Sequence, residues 1–256
     1  MQHYQAEGVD RINLVNNNSD DDFEVILRPF IDSGRVRLFH DRRQQKIQLL
    51  AYETMLPQLR RQTEWLIVCD LDEFVYARNG FQTIRDYLLS LPDSVTCVQI
   101  PWKIFGSSGF DRQPEGGVAQ NFLYRYCYTR MPKHYYGWYY GKIPCKYIVR
   151  PAAASYLGCH RADLLYGLNQ LANGEAVQPS NWHYTSEAFL EQACLHINHY
   201  ALQSQEFFLN TKMQRGGGVT PREKRNYSLE WFRKYDVNDL KDDELALKRS
   251  ALHAAP

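Results

Sequence analysis

Trp65-Leu66-Ile67-Val68-Cys69-Asp70-Leu71-Asp72-Glu73-Phe74 is an unbroken apolar run followed at once by three carboxylates. An apolar run without polar alternation suits a central strand covered on both faces. In an extended segment, residues two apart share a side, so Asp70 and Asp72 are expected to present their carboxylates together at the sheet edge. Hard divalent cations take oxygen ligands, often one or two carboxylates plus substrate phosphates. The expected cofactor is therefore Mn²⁺ or Mg²⁺, held at Asp70 and Asp72, where it would neutralise a diphosphate leaving group. The plainer alternative is a solvated acidic turn; clustered like charge directly after an apolar run favours the functional one.

Working back towards the start, Ile47, Leu50, Met55 and Leu59 mark a helix over about Gln44 to Arg61. Val36 to Phe39 reads as a short strand. Phe23, Ile26, Leu27 and Phe30 have helical spacing, with Ser19 or Asp20 as N-cap and Gly34 as a stop. Residues 11–16 read as a buried strand ending in the polar run Asn17 to Asp22. Strands alternating with helices predict βαβ units and a mainly parallel central sheet flanked by helices. Ligands then bind outside the carboxyl ends of the strands, where Asn18, Asp20, Asp70 and Asp72 all fall.

Beyond the acidic motif the character changes. Thr96 to Pro101 predicts another strand, and Gly106-Ser107-Ser108-Gly109 opens a glycine-rich loop to Gly117, expected to be mobile. Residues 121–150 are rich in Tyr and Trp, with a dense patch at 134–140 that suits sugar stacking, core packing or an interface equally. Helical patterns return at 187–194, 204–214 and 228–235, and 241–256 reads as a marginal helix or frayed tail.

Composition narrows the functional class. Lys plus Arg is 30 and Asp plus Glu is 29, a net charge of +1, so there is no general electrostatic drive towards nucleic acid. The six cysteines are scattered without a Cys-x-x-Cys pair, which argues against a cysteine zinc site and for a reducing compartment. No segment approaches the ~20 apolar residues of a spanning helix. The expected location is the cytoplasm, peripheral to the inner membrane face at most.

The acidic motif resembles the Trp-Leu-x-x-x-Asp-x-Asp-Glu-Phe signature of bacterial family-2-like and family 92 glycosyltransferases. Gly8-Val9-Asp10 with Asn18-Ser19-Asp20 resembles their Gly-Val-Asp and Asn-x-Ser-x-Asp segment. Trp102-x-x-Phe105-Gly106-Ser107-Ser108-Gly109 is similar to their Trp-x-x-Phe-Gly loop. His199-Tyr200, Ser204, Glu206-Phe207, Lys212 and Arg215-Gly216 are similar to their closing run.

The ordered match spans about residues 3–218, implying a glycosyltransferase domain at 1–218 and a C-terminal helical extension at 219–256. The resemblance implies a GT-A fold and inverting transfer from a nucleotide-sugar donor to a glycan or other hydroxyl acceptor. Asp70 would lie near the donor ribose or the metal, and Asp72 would ligate the metal. Asn18, Asp20, Gln45 and Lys46 would line the donor side, and Trp102 the acceptor pocket. A C-terminal histidine is expected as a third metal ligand: His160 first, with His183 and His199 as rivals. Inversion needs a general base, for which Asp111 and Glu115 are the nearest carboxylates beyond the acceptor loop. Lys212 and Arg215 are placed to bind the diphosphate when a C-terminal lid closes. Relatives begin with one further strand, which this sequence lacks ahead of its first helix; a missing start is the expected reason, since an orphaned sheet edge is a liability.

Two other functions compete. A haloacid dehalogenase-like phosphatase also places Asp-x-Asp after an apolar strand, with the first Asp as nucleophile. Here Glu73-Phe74 replaces its usual Gly-Thr, and the motif lies deep in the chain. A non-catalytic binding protein derived from a glycosyltransferase is the second.

Overall fold

A computed structural model of the chain describes residues 1–43, 47–129, 134–135, 138–139, 142–214 and 227–254. After a short helix α1 (Gln2–Ala6) come β1 (Ile12–Asn16), α2 (Phe23–Asp32) and β2 (Val36–His40). β1 and β2 form a parallel two-stranded ladder, with Ile12 opposite Val36 and Asn16 opposite His40. Gly34 ends α2 at φ +72°, a left-handed conformation that favours glycine, which is why the stop signal was readable. Helix α3 (Ile47–Gln62) then leads to β3 (Leu66–Val68) and β4 (Glu73–Ala77).

The central sheet is completed by β5 (Val95–Ile104), β6 (Lys142–Val149), β7 (Leu168–Leu171), β8 (Trp182–Tyr184) and β9 (Leu195–His199). Its order is β8-β6-β5-β9-β4, with β7 also beside β5 and β3 also beside β6. The sheet is mixed, which corrects the expectation of a mainly parallel one. β5 runs parallel to β7 and β9, whereas β6 is antiparallel to β3, β5 and β8, and β9 is antiparallel to β4. The helix–strand alternation that predicts parallel pairing holds only as far as β5. Beyond it no long crossover helix separates the strands: β6 enters antiparallel to β5, while the later β7 and β9 lie parallel to it.

All ten residues of β5 are buried. Its apolar residues Val98, Ile100 and Ile104 join Val75, Ile84, Ile143, Ile148, Leu195 and Ile197 in the main core. A second cluster joins α3, through Leu56, to Val68, Tyr147 and Val149 and to a hairpin over residues 154–164.

The C-terminal segment is not a frayed tail. Leu240–Lys241 pairs with Tyr124–Arg125, and helix α5 (Glu244–Ala254) follows α4 (Leu229–Tyr235). Leu245 inserts among Tyr76, Phe105, Phe122 and Tyr200. Asp242 lies 2.5 Å from the Lys103 ammonium and 2.6 Å from the Arg125 guanidinium. Glu244 meets Arg78 at 2.7 Å and accepts from the Tyr76 hydroxyl at 2.9 Å. These acids compensate cations that β5 and its neighbour carry into the interior, where an unpaired charge would cost several kcal/mol, of the order of 3–5.

The glycine-rich loop is likewise fastened, which corrects its reading as mobile. Ser107 donates through both N and Oγ to Asp236 at 2.6 Å, and Ser108 N donates to Asn238 Oδ1 at 2.7 Å. A Cβ on Gly106 would lie 2.5 Å from Asn238 Oδ1 and 2.6 Å from the Val237 carbonyl, so only glycine lets the segments approach this closely. Among the described residues no helix is long and apolar enough to cross a membrane. The aromatic stretch at 134–140 is traced only as two paired strands, His134–Tyr135 and Trp138–Tyr139; its remainder lies outside the described residues, and with it the choice among sugar stacking, core packing and an interface.

Candidate functional site

The acidic motif is a turn between β3 and β4. Glu73 N donates to the Asp70 carbonyl at 3.2 Å, and Asp70 N donates to Glu73 Oε2 at 2.6 Å. Leu71 stands exposed at the tip. The expected extended geometry is therefore replaced by a tight reversal, and the two aspartates meet different partners.

Asp70 Oδ1 accepts from Gln48 Nε2 at 2.8 Å, and Oδ2 from Lys146 Nζ at 2.9 Å. Lys146 comes from the middle of β6, is fully buried, and also lies 3.5 Å from Glu73 Oε2. Glu73 is buried as well, and burial pushes its carboxyl up to about 8 despite the opposing pull of Lys146. Glu73 Oε1 has no hydrogen-bond partner among the described residues. At neutral pH Glu73 is thus mostly protonated.

Asp72 faces the other way. Its Oδ2 accepts from Lys212 Nζ, and its Oδ1 lies 3.8 Å from His199 Nε2, beyond hydrogen-bond reach. Burial opposes the Asp72 charge, but His199 and Lys212 outweigh it and hold the carboxyl below its usual range. Burial also lowers His199 to about 4, so at neutral pH that imidazole is uncharged and Lys212 carries the compensation. His199 is placed by register: it ends β9 opposite Glu73 of β4 and Ile104 of β5. Lys212 is placed by a π-helical turn, Phe208–Lys212, of the kind that recurs at functional sites.

Trp102 on β5 is buried between two histidines. Its ring centroid is 4.0 Å from that of His199 and 5.2 Å, edge on, from that of His160. His160 Nδ1 donates to the Cys145 carbonyl at 3.0 Å, which leaves Nε2 as the nitrogen free of the proton. Burial lowers the His160 pKa. His183, the third histidine considered, bonds Gln99 Oε1 at 3.0 Å on the far part of β6's partner strand β8.

The structure therefore gathers Asp70, Asp72, Trp102, His160, His199, Lys146 and Lys212. Asn18 (φ +55°) and Asp20 stand exposed at the carboxyl end of β1, on the separate two-stranded ladder. Asp111 and Glu115 are exposed in the fastened loop; the Asp111 carbonyl accepts from Glu206 N at 2.9 Å and the Glu115 carbonyl from Asn121 Nδ2 at 2.8 Å. Gln45, Lys46 and Arg215 lie outside the described residues. Gln48, at the start of the same helix α3, does reach Asp70.

Gln48 and Lys146 escaped the sequence reading. The one available signal was a lysine inside the apolar run of β6, since a charge buried in a strand demands a partner.

Among the described residues no group of three or more His, Cys, Asp or Glu side chains is arranged to hold an ion. What the site offers is a pair, Asp72 Oδ1 and His199 Nε2, 3.8 Å apart. A separate cleft of about 510 Å³, lined by Arg11, Arg28, Arg37 and His40, opens between α2 and β2 and shares no residue with this cluster.

In comparison with known families, the profile described as Glycosyltransferase family 92 matches residues 1–243. No curated protein matches the chain.

Proposed function

The chain belongs to glycosyltransferase family 92 and is an enzyme that transfers a sugar from a donor to an acceptor; from this premise we propose that the transfer takes place at the β3–β4 turn, from a nucleotide-sugar, with inversion at the anomeric carbon. The single observation that carries the placement is the convergence of Asp72, His199, Trp102 and Lys212, from four separate parts of the chain, on one spot at the ends of β5 and β9. Membership suggests a GT-A-like fold, built here around a mixed sheet. It also sets aside the phosphatase alternative, for which Asp70 would have to be a free nucleophile; both its oxygens are engaged by Gln48 and Lys146.

A divalent cation, Mn²⁺ or Mg²⁺, is part of the proposal. Such ions are commonly held by one or two protein groups plus substrate phosphates, so Asp72 Oδ1 and His199 Nε2 are a sufficient protein contribution. His199 thereby replaces His160 as the favoured histidine, because it is the one that faces Asp72. When bound, the cation would neutralise charge on the departing diphosphate. Asp70 is held by Gln48 and Lys146 in a fixed orientation suited to a donor hydroxyl. Trp102 is assigned to the floor of the acceptor side, its ring buried and its orientation fixed by the two flanking imidazoles. Lys212 supplies a cation for the leaving phosphates.

The base that takes the acceptor proton is assigned to the loop carrying Asp111 and Glu115. That loop is tied to the Lys212 segment, because Gln113 N donates to Glu206 Oε2 at 2.8 Å and Ser204 Oγ to Gln113 Oε1 at 2.7 Å. Asn18, Asp20, Gln45, Lys46 and Arg215 remain assigned to the donor side, and a hydroxyl-bearing glycan to the acceptor side. The proposed location is cytoplasmic, peripheral to the inner membrane face; its support is the set of scattered cysteines, none in a disulfide.

The test is a thermal-shift screen of nucleoside diphosphates with and without Mn²⁺. Stabilisation by one nucleotide only when the metal is present, lost in Asp72→Asn, is the expected result. A metal-independent shift, or one that survives Asp72→Asn, would overturn the assignment.

A further inference from the structure

Asp72 takes an ammonium from Lys212, at the end of a π-helical turn. Its neighbour Asp70 already has its own buried ammonium, Lys146. The two lysines differ in a way that matters. Lys146 lies within β6, its side chain 1% exposed, clamped between Asp70 and Glu73. It has no room to leave. Lys212 is 24% exposed and, among the described residues, touches Asp72 alone of the carboxylates. It stands on a short irregular helix outside the central sheet, where a change of side-chain rotamer breaks no strand pairing.

We propose that Lys212 is an internal counter-cation of Asp72 that gives way to the divalent metal ion, so that metal binding and release of the Lys212 ammonium are one exchange. This rests on the reading of Asp72 as a metal-binding residue. The carboxylate is mostly buried, so leaving it uncompensated would be costly. Lys212 removes that cost in the metal-free enzyme. A metal ion arriving at Asp72 Oδ1 and His199 Nε2 brings two positive charges beside the ammonium, and like charges at this separation repel strongly. The ammonium is then driven off the carboxylate. The nearest anion it can take as a replacement is the phosphate group of the donor that accompanies the metal ion. No covalent step is involved: one ion pair is replaced by another, and net charge is conserved.

The exchange has a signature that a merely structural lysine lacks, because the sign of the effect reverses between two ligands. Lys212→Met removes the competitor, so Mn²⁺ alone should bind more tightly, by about tenfold if the ion pair is worth a typical charged hydrogen bond. The same variant lacks the cation for the phosphates, so nucleoside diphosphate binding in saturating Mn²⁺ should weaken. Lys212→Arg keeps a competing cation and should hold the Mn²⁺ affinity near that of the unaltered enzyme.

The experiment measures Mn²⁺ binding by electron paramagnetic resonance of the free aqueous ion. The full chain, Lys212→Met, Lys212→Arg and Asp72→Asn are compared, followed by titration of each with uridine, guanosine, cytidine and adenosine diphosphates in turn. Circular dichroism confirms folding of each variant. Tighter Mn²⁺ binding in Lys212→Met, with weaker nucleotide binding, establishes the exchange. Unchanged or weaker Mn²⁺ binding in Lys212→Met, with binding still lost in Asp72→Asn, overturns the exchange and leaves the metal site standing. Mn²⁺ binding that is absent from the unaltered enzyme, or unaffected by Asp72→Asn, overturns both.

Discussion

Replacing Lys146 by methionine keeps most of the buried stem and removes only the ammonium that lies 2.9 Å from Asp70 and 3.5 Å from Glu73. At pH 7 Glu73 holds its proton, because burial has pushed its carboxyl up to about 8. The partner actually lost is then Asp70, whose side chain is 41% exposed and can recover water. A charged hydrogen bond is worth roughly 1.5–3 kcal/mol, and solvent access reduces that to about 1–2 kcal/mol.

The pH dependence is more telling than the mean. A carboxyl with a folded value of about 8 and an ordinary value of 4.5 binds more protons folded than unfolded between those limits. Stability contributed by Glu73 is therefore full below pH 4.5, falls as pH rises through that window, and stops falling above 8. Without Lys146 the folded value rises further, so the decline continues past pH 8. Urea unfolding of both proteins at pH 7 and pH 9 should show the Lys146→Met deficit growing by about 1.4 kcal/mol, the equivalent of one pH unit of extra proton uptake. A deficit that stays constant, or shrinks, between those pH values would refute the reasoning that Glu73 titrates against this ammonium.

The remaining predictions concern other parts of the fold. His3 is buried, bonds the Val75 carbonyl at 2.7 Å, and is lowered to about 4 by burial. The unfolded chain takes up that proton first as pH falls below 6.5, so stability is lost between pH 6.5 and 4. His3→Gln should abolish about 2 kcal/mol of the loss between pH 7 and pH 5, measured by urea unfolding; an identical pH profile in the variant would contradict this. Gly106→Ala should cost about 2–4 kcal/mol, because the new Cβ forces residues 236–238 off the loop and breaks the charged hydrogen bonds of Ser107 to Asp236 and the neutral one of Ser108 to Asn238; a melting temperature matching the parent's would count against it. Arg125→Met leaves buried Asp242 and half-buried Glu187 with one cation fewer, and should destabilise by about 3–5 kcal/mol in chemical denaturation; a loss below 1 kcal/mol would show that the network is dispensable.

Local signals in the sequence were reliable where the physics is local. Helical spacing located α2 and α3, and Gly34 stops α2 because the backbone there is left-handed; the N-cap is Asp22, not Ser19 or Asp20 as expected, and its side chain makes no capping bond. The apolar run ending in Asp70 is a strand, but a short one beside β6 at the margin of the sheet and only partly buried, not the central strand expected. What failed were inferences about direction and partnership. Asp70-Leu71-Asp72 has the spacing of an extended edge, yet Glu73 folds it into a turn by accepting the Asp70 N–H, an interaction that competes with extended backbone only once Glu73 is buried. Parallel pairing was inferred from an alternation that stops at β5. The aspartates' lysines come from β6 and from residue 212, and no periodicity links such distant positions. His199 could be ranked above His160 only after strand register set it opposite Glu73. The polar C-terminal segment read as a marginal helix or a frayed tail because its amphipathic pattern is weak; it is a helix. Its acids are partners for Lys103 and Arg125, whose burial the sequence did not reveal.

The most direct measurement is a crystal of the full chain grown with Mn²⁺ and a nucleoside diphosphate, read by anomalous scattering from manganese. The expected result is a manganese peak bonded to an Asp72 oxygen and His199 Nε2, with the diphosphate completing its shell and Lys212 moved onto the phosphates. A peak located elsewhere, or a nucleotide bound with Asp72 still paired to Lys212, would contradict it.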